Sequence, residues 1–340
     1  MKKLSENIYN SSKTKDKPKF KLFKSAGFML TYKCNCSCQF CYYNCNSDQP
    51  GLIDPEIIVE GYRSLKNIAG ELAKIHLTGG EAFLFWDRLV EIFQQLKKAN
   101  LGSVDMLETN AFWATDEKEI RRRLKTLDNS GLNILKISCD PFHQEYVDIE
   151  SVELLTKIAE EMLGPSRVMV RWQKYLDNPI EMKGISQQKK NANYIGTLKD
   201  YPCRFNGRAA GLLAELFADK PIDKLAHFNC LKNFLSAKSV HVDPFGNVFN
   251  GTCSGIIIGN LNQQSLEDIW LNFDPTKNEI INILCKSGPV GLLEKAKEQG
   301  FIPAELYAGK CHLCTNICQF FFNKGICGTI IGPAPCYCEK

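Results

Sequence analysis

The sequence predicts an α/β fold: a parallel sheet covered by helices, followed by a small cysteine-rich region. Three observations carry this expectation. Strand-like and helix-like stretches alternate between about residues 26 and 175. The strand-like runs are almost continuously apolar, as strands buried on both faces are. Beyond residue 236 the alternation gives way to a hairpin signal and closely spaced cysteines.

Taken in order, Ala26–Tyr32 is the first strand. Residues 54–69 place Ile58, Tyr62, Leu65 and Ala69 on one helical face, with Pro55 suited to a first turn. Lys74–Thr78 is a short strand ending at Gly79, and Trp86–Ala99 a helix with Leu89, Ile92, Phe93 and Leu96 on one stripe. Val104–Glu108 is a strand. Asp116 with Glu119 three residues later opens a helix that runs through Leu127. Ile134–Ser138, Ile149–Leu163 and Arg167–Trp172 then read as strand, helix and strand. The polar stretch 178–193 is expected as a loop or exposed helix. Val240–Phe249 is a hairpin, with Asp243 and Pro244 in the first two places of a type I turn and Gly246 in the fourth. Ser265–Trp270 opens a capped helix.

Length and composition set limits. A chain of 340 residues, 44% apolar and 24% charged, can hold one large domain and a smaller one. A net charge of +4 is too slight to argue for nucleic acid or membrane. Part of it sits in the first 24 residues, whose lysines outnumber Glu6 and Asp16, so residues 1–22 are expected to form a flexible basic lead-in. No apolar stretch follows Met1-Lys2-Lys3 and none approaches the length of a membrane span. Sixteen cysteines without a secretory signal point to reduced thiols and metal in a cytoplasmic, anaerobic setting.

The most informative string is Thr31-Tyr-Lys-Cys-Asn-Cys-Ser-Cys-Gln-Phe-Cys-Tyr42. Cys34, Cys38 and Cys41 are spaced so that one loop can ligate three irons of a cubane cluster, leaving the fourth without a protein ligand. About forty residues on comes Leu77-Thr-Gly-Gly-Glu81. With these two motifs together, and Phe40 as the aromatic before the third cysteine, the chain resembles the radical SAM superfamily. The resemblance implies a partial (βα)6 TIM-type barrel. It also implies a [4Fe–4S] cluster whose open iron binds S-adenosylmethionine; one electron from the reduced cluster cleaves the sulfonium C–S bond and yields a 5′-deoxyadenosyl radical. Gly79, Gly80 and Glu81 match the SAM-binding turn, with Glu81 placed to accept a hydrogen bond from the methionyl ammonium. Barrel sites lie at the carboxyl ends of the strands, and the family's SAM contacts at the matching positions fall on Asn110, Ser138, Asp140 and Arg171. His143 stands at the same rim, equally suited to packing and to substrate contact.

The region 236–340, following a barrel and linker over 23–235, resembles the SPASM/twitch auxiliary-cluster module. Cys203–Arg208 resembles the Gly-Arg-Ala segment that joins such modules to the barrel. The resemblance implies at least one auxiliary [4Fe–4S] cluster, held by Cys253, Cys311, Cys314 and Cys318, with Cys230 the strongest rival ligand and Cys327, Cys336 and Cys338 beyond. Cys-x2-Cys is also half of a zinc knuckle, so a structural zinc stays open.

Proteins with this layout mostly abstract hydrogen from an amino-acid residue of a ribosomally made peptide, leading to a crosslink, epimerisation or oxidation. A faint similarity to radical SAM peptide epimerases makes Cys139 and Cys45 candidate hydrogen donors. The implied partners are a peptide or small-molecule substrate, an electron donor such as flavodoxin or ferredoxin, and a separate peptide-recognition protein. A radical SAM enzyme of small-molecule or cofactor biosynthesis and a non-enzymatic iron–sulfur electron carrier are the alternatives; the carrier would need neither the Gly-Gly-Glu turn nor an open iron.

Overall fold

The computed structural model describes residues 1–251 and 253–337. Its eight strands are β1 (Ser25–Met29), β2 (Lys74–Thr78), β3 (Val104–Thr109), β4 (Leu132–Ser138), β5 (Val168–Arg171), β6 (Ser239–Val242), β7 (Asn247–Asn250) and β8 (Ile257–Asn260). They form one sheet in the order β5-β4-β3-β2-β1-β6-β7-β8. Strands β1 to β5 are mutually parallel, and β6 joins β1 in parallel from the other side. The hairpin partner β7 and then β8 add antiparallel.

Helices Pro55–Ala69, Trp86–Lys98, Glu117–Asn129 and Ile149–Leu163 connect β1 to β5 and bury the stripes that their spacing predicts, Leu89, Ile92, Phe93 and Leu96 among them. Each such aliphatic or aromatic side chain contributes about 1.5–3 kcal/mol on full burial. The helix starts are fixed by side chains: Asp54 accepts from the amide of Glu56, and Asp116 from that of Glu119. The polar stretch after residue 178 includes the start of a helix, Gln187–Asp200.

The hairpin forms as its turn residues dictate. The Gly246 amide donates to the Asp243 carbonyl at 3.0 Å, and the buried Asp243 carboxylate accepts from the Phe245 and Asn247 amides. Because β6 pairs with β1, the sheet runs unbroken across residue 236, where a module boundary was expected.

Residues 1–22 are not a flexible lead-in. Asn7 is fully buried, and its side-chain amide donates to the carbonyls of Trp270 (2.6 Å), Leu271 and Phe273 at the end of helix Leu266–Asn272. The Asn10 amide donates to the carbonyls of Leu4 and Phe20, while its oxygen accepts from the Phe20 amide. Phe20 and Phe23 are fully buried. The lysines are exposed or half-buried, Lys2 pairing with Glu267 at 2.8 Å; two asparagines and two phenylalanines dock the segment. Among the described residues, no helix is long and apolar enough to cross a membrane.

Asn7→Ala should lower the stability of the reconstituted protein by about 2 kcal/mol, because three carbonyls lose their buried donor. Lys17→Ala, on the solvated face, should change it by less than about 0.5 kcal/mol. Chemical denaturation checks both, and equal stability of the Asn7 variant and the parent would restore the flexible reading.

Candidate functional site: two cysteine-lined cavities

The first site is built by clamping one turn onto one loop. Past the end of β1 the chain enters the cysteine loop, and past the end of β2 it makes the Gly79-Gly80-Glu81 turn. The Gly80 amide donates to the Thr31 carbonyl at 2.7 Å, and the Glu81 amide to the Lys33 carbonyl at 3.0 Å. A Cβ on Gly80 would lie 2.0 Å from the Lys33 carbonyl oxygen, so no other residue allows this approach. The close approach these glycines permit is therefore first of all to the chain itself.

Glu81 is buried and holds the next strand end in register. Its carboxylate accepts from the Phe83 amide, the Thr109 hydroxyl and, at 2.7 Å, the Asn110 amide. Burial outweighs these bonds and raises its pKa to about 7. The ammonium contact assigned to Glu81 from the sequence must share a carboxylate already engaged three times.

A cavity of ≈ 170 Å³ opens above these elements. The loop contributes Cys34, Cys38 and Cys41 with Phe40, and the strand ends contribute Gly79, Gly80, Glu81, Asn110, Ser138 and Arg171. Asn110 turns its side-chain amide to the Asn35 oxygen (2.8 Å) and the Cys36 sulfur (3.2 Å). Ser138 and Arg171 are partners across β4 and β5, and the Arg171 guanidinium lies over the Phe40 ring at 5.1 Å. Deeper in, the Lys136 ammonium, 2.9 Å from Glu108, overcomes burial and holds that carboxyl at about 2.

Two expected residues do not reach the cavity. Asp140 is fully buried as the cap of the turn Pro141–Gln144, accepting from the Phe142 and His143 amides and pairing at 2.8 Å with His143 Nδ1. Its place at the rim falls to His143. Burial disfavours the charged ring, but Asp140 outweighs burial and holds the His143 pKa above its ordinary value. Cys139, the residue after Ser138, is buried and accepts from the Gln144 amide. Because side chains alternate along an extended segment, Ser138 facing the cavity sends Cys139 away from it, which removes it as a hydrogen donor there.

Cys45, the other candidate donor, does line the cavity, beside Cys41. The hydrogen bond from Cys45, aided by the Arg208 charge, holds the Cys41 thiol below the ordinary range. Sequence reasoning missed Cys36, a fourth thiol within the loop that also lines the cavity, although its position between Cys34 and Cys38 was plain to read.

The Cys203–Arg208 string clamps the loop from behind. Arg208 donates to the carbonyls of Cys38 (3.2 Å) and Cys45 (2.7 Å), and the Ala209 amide to that of Cys41. Gly207, at φ +54°, lies so close to Tyr42 that a Cβ would be 2.5 Å from its backbone.

The second cavity, of ≈ 40 Å³, gathers five thiols among the described residues: Cys230, Cys253, Cys311, Cys314 and Cys318. The four ligands read from the sequence and their rival thus meet at one place. Burial raises Cys230 to about 12 and Cys311 to about 11, so these thiols are neutral near pH 7 until a metal takes the proton's place. Cys327 and Cys336 do not line it. Cys336 is instead buried against the Tyr32 hydroxyl (3.7 Å). Cys338 lies outside the described residues. Among the described residues, no three Cys, His, Asp or Glu side chains converge closely enough to hold a single metal ion. The donor chemistry of both cavities, thiols with few competing oxygen ligands among them, fits iron–sulfur clusters.

Residues 28–160 match the model of the Radical SAM superfamily. Over 165 residues the chain is 28% identical to a Sulfurisphaera tokodaii protein named probable GTP 3′,8-cyclase, covering 48% of this chain and 50% of that protein. A Sulfolobus acidocaldarius protein of the same name is 30% identical over 144 residues, 42% of each. The chain spans about half the length of these curated relatives. Among solved structures it is similar to BtrN in complex with AdoMet and 2-DOIA (TM-score 0.46, 16% identity, 79% of this chain and 90% of that one). It is also similar to Streptococcus suis SuiB bound to S-adenosylmethionine (TM-score 0.40, 13% identity, 77% and 68%). The matched family segment holds the cysteine loop, the glycine turn and all but the last of the strand ends around the first cavity: residues 28–160 of the chain are a radical SAM domain.

Proposed function

We propose that the first cavity binds a [4Fe–4S] cluster through Cys34, Cys38 and Cys41 and S-adenosylmethionine beside it, and that the chain abstracts hydrogen from an amino-acid residue of a peptide. The observation that carries this reading is that the cysteine loop and the Gly79-Gly80-Glu81 turn share one cavity through direct backbone hydrogen bonds. When bound, the cluster and its ligand would supply one-electron cleavage and a 5′-deoxyadenosyl radical. The chain's own residues would do the rest. The turn and Asn110 offer polar groups to the amino-acid end of the ligand, and Ser138, His143 and Arg171 offer them to its carboxylate and hydroxyls. Phe40 and the neighbouring rings wall the site from water.

The second cavity would hold an auxiliary [4Fe–4S] cluster. Its described residues offer one thiol more than a cubane uses, so the four assigned ligands and Cys230 compete for its irons. A flavodoxin or ferredoxin would supply electrons, and a separate protein would present the peptide. The peptide reading rests on the pairing of a radical site with a second cluster site in one chain. The curated relatives named probable GTP 3′,8-cyclase favour a second reading, a small-molecule substrate, but their likeness covers less than half of this chain.

Anaerobically reconstituted protein should hold roughly eight irons per chain and, once reduced, form 5′-deoxyadenosine. Replacing Cys34, Cys38 and Cys41 by Ala should abolish that product and leave about four irons; four irons with stoichiometric zinc in the parent protein would instead restore the zinc knuckle. Gly80→Ala should cut 5′-deoxyadenosine formation about 100-fold by displacing the turn from the loop. Gly196→Ala, where a Cβ meets nothing within 4 Å, should leave it unchanged. For the substrate class, short peptides encoded beside the gene should change mass in step with 5′-deoxyadenosine release. A small molecule that couples to release when no such peptide does would sink the peptide assignment.

A further inference from the structure

Among the described residues that line the second cavity, one side chain is charged, Lys310, and nothing in the proposed ligand chemistry uses it. Lys310 opens helix Lys310–Asn323, immediately before Cys311. A lysine is poorly placed there, because the amino end of a helix carries partial positive charge and stability would favour an acid. That helix has no acidic residue in its first turn and no side-chain cap. The ammonium is nonetheless fixed: it donates to the Asn229 carbonyl at 2.7 Å and to the Asn233 side-chain oxygen at 3.0 Å. These anchors stand on either side of Cys230 in sequence and bring the ammonium beside the Cys230 thiol. Among the described residues, no carboxylate pairs with it within 4.0 Å, and both of its anchors are neutral.

We infer that Lys310 sets the reduction potential of the auxiliary cluster, its tethered ammonium stabilising the reduced and more negative form. The inference rests on the proposal that a cluster occupies this cavity. A thiolate-ligated cubane gains a negative charge when it accepts an electron, and a fixed cation or a hydrogen bond at a ligand sulfur raises its potential. Two neutral asparagine groups hold this cation at the cavity wall without cancelling it. Lys310 is a positioning residue in this scheme: it touches a candidate ligand, and its effect is electrostatic. A second cluster made easier to reduce is suited to accept an electron from a substrate radical.

The test is a dye-mediated potentiometric titration, read by EPR, of anaerobically reconstituted parent protein, Lys310→Met and Lys310→Arg, with iron measured on each. The methionine variant should move the midpoint of the auxiliary signal to more negative potential. The arginine variant should keep it near the parent value, and the signal of the Cys34 group should stay put in both. A fully loaded methionine variant with an unmoved auxiliary midpoint overturns the inference. If that variant does not load, Asn233→Leu, which removes one anchor of the ammonium, must shift the midpoint in the same direction, and an unmoved midpoint there overturns it equally. Parent protein with about four irons and a single EPR species would remove the auxiliary cluster itself, a failure distinct from that of Lys310.

Discussion

Two backbone hydrogen bonds, from Gly80 to Thr31 and from Glu81 to Lys33, fix the rest of the site. They fasten the end of β2 to the entry of the cysteine loop at a distance that only a glycine permits. From there, order passes outward through side chains. Glu81 secures Thr109 and Asn110 at the end of β3, and Asn110 reaches back to Asn35 and Cys36. The loop itself has little regular structure. It is held by what surrounds it, the turn on one side and Arg208 on the other. Pre-positioned thiols spare a bound cluster the cost of ordering its own ligands.

The two cavities are joined by more than proximity in sequence. The Cys203–Arg208 string meets the first site through Arg208 and the second through Asn206. Ser254, beside Cys253, donates to the Tyr42 carbonyl at 2.7 Å, and Thr315 to that of Phe205. The penultimate described residue, Cys336, is buried against Tyr32, while Tyr337 lines the second cavity. Backbone groups of the first loop are thus satisfied by residues that belong to the second site.

Much of this was legible in the sequence, for identifiable reasons. The barrel helices and strands follow from apolar spacing and capping residues, and those signals are local. The cysteine loop and glycine turn are read from residue type and interval. What escaped reading depends on contacts between distant residues. Lysines in residues 1–22 suggest a solvated tail, yet Asn7 finds its carbonyl partners more than 260 positions away. Cys230, read from the sequence only as a rival ligand, lines the second cavity beside Cys311 and Cys314. The opposite directions of Ser138 and Cys139 were within reach of the simplest rule of extended chains, and reading adjacent polar residues as one cluster obscured it. Asp140 is spent locally, on the cap before Pro141 and on His143, and the Asp-Pro pair already allowed that reading.

The pairing of β6 with β1 has a consequence for how such a protein can be divided. β1 is an interior strand only because β6 covers it. Cutting the chain before residue 239 would bare a row of unpaired amide and carbonyl groups along the strand that leads into the cysteine loop. Exposed strand edges of that kind recruit other chains and aggregate. The C-terminal third is therefore no detachable cargo that could be exchanged between barrels at a linker. A chimaera would have to carry Ser239–Val242 with the barrel, or supply another strand of the same register to close its flank.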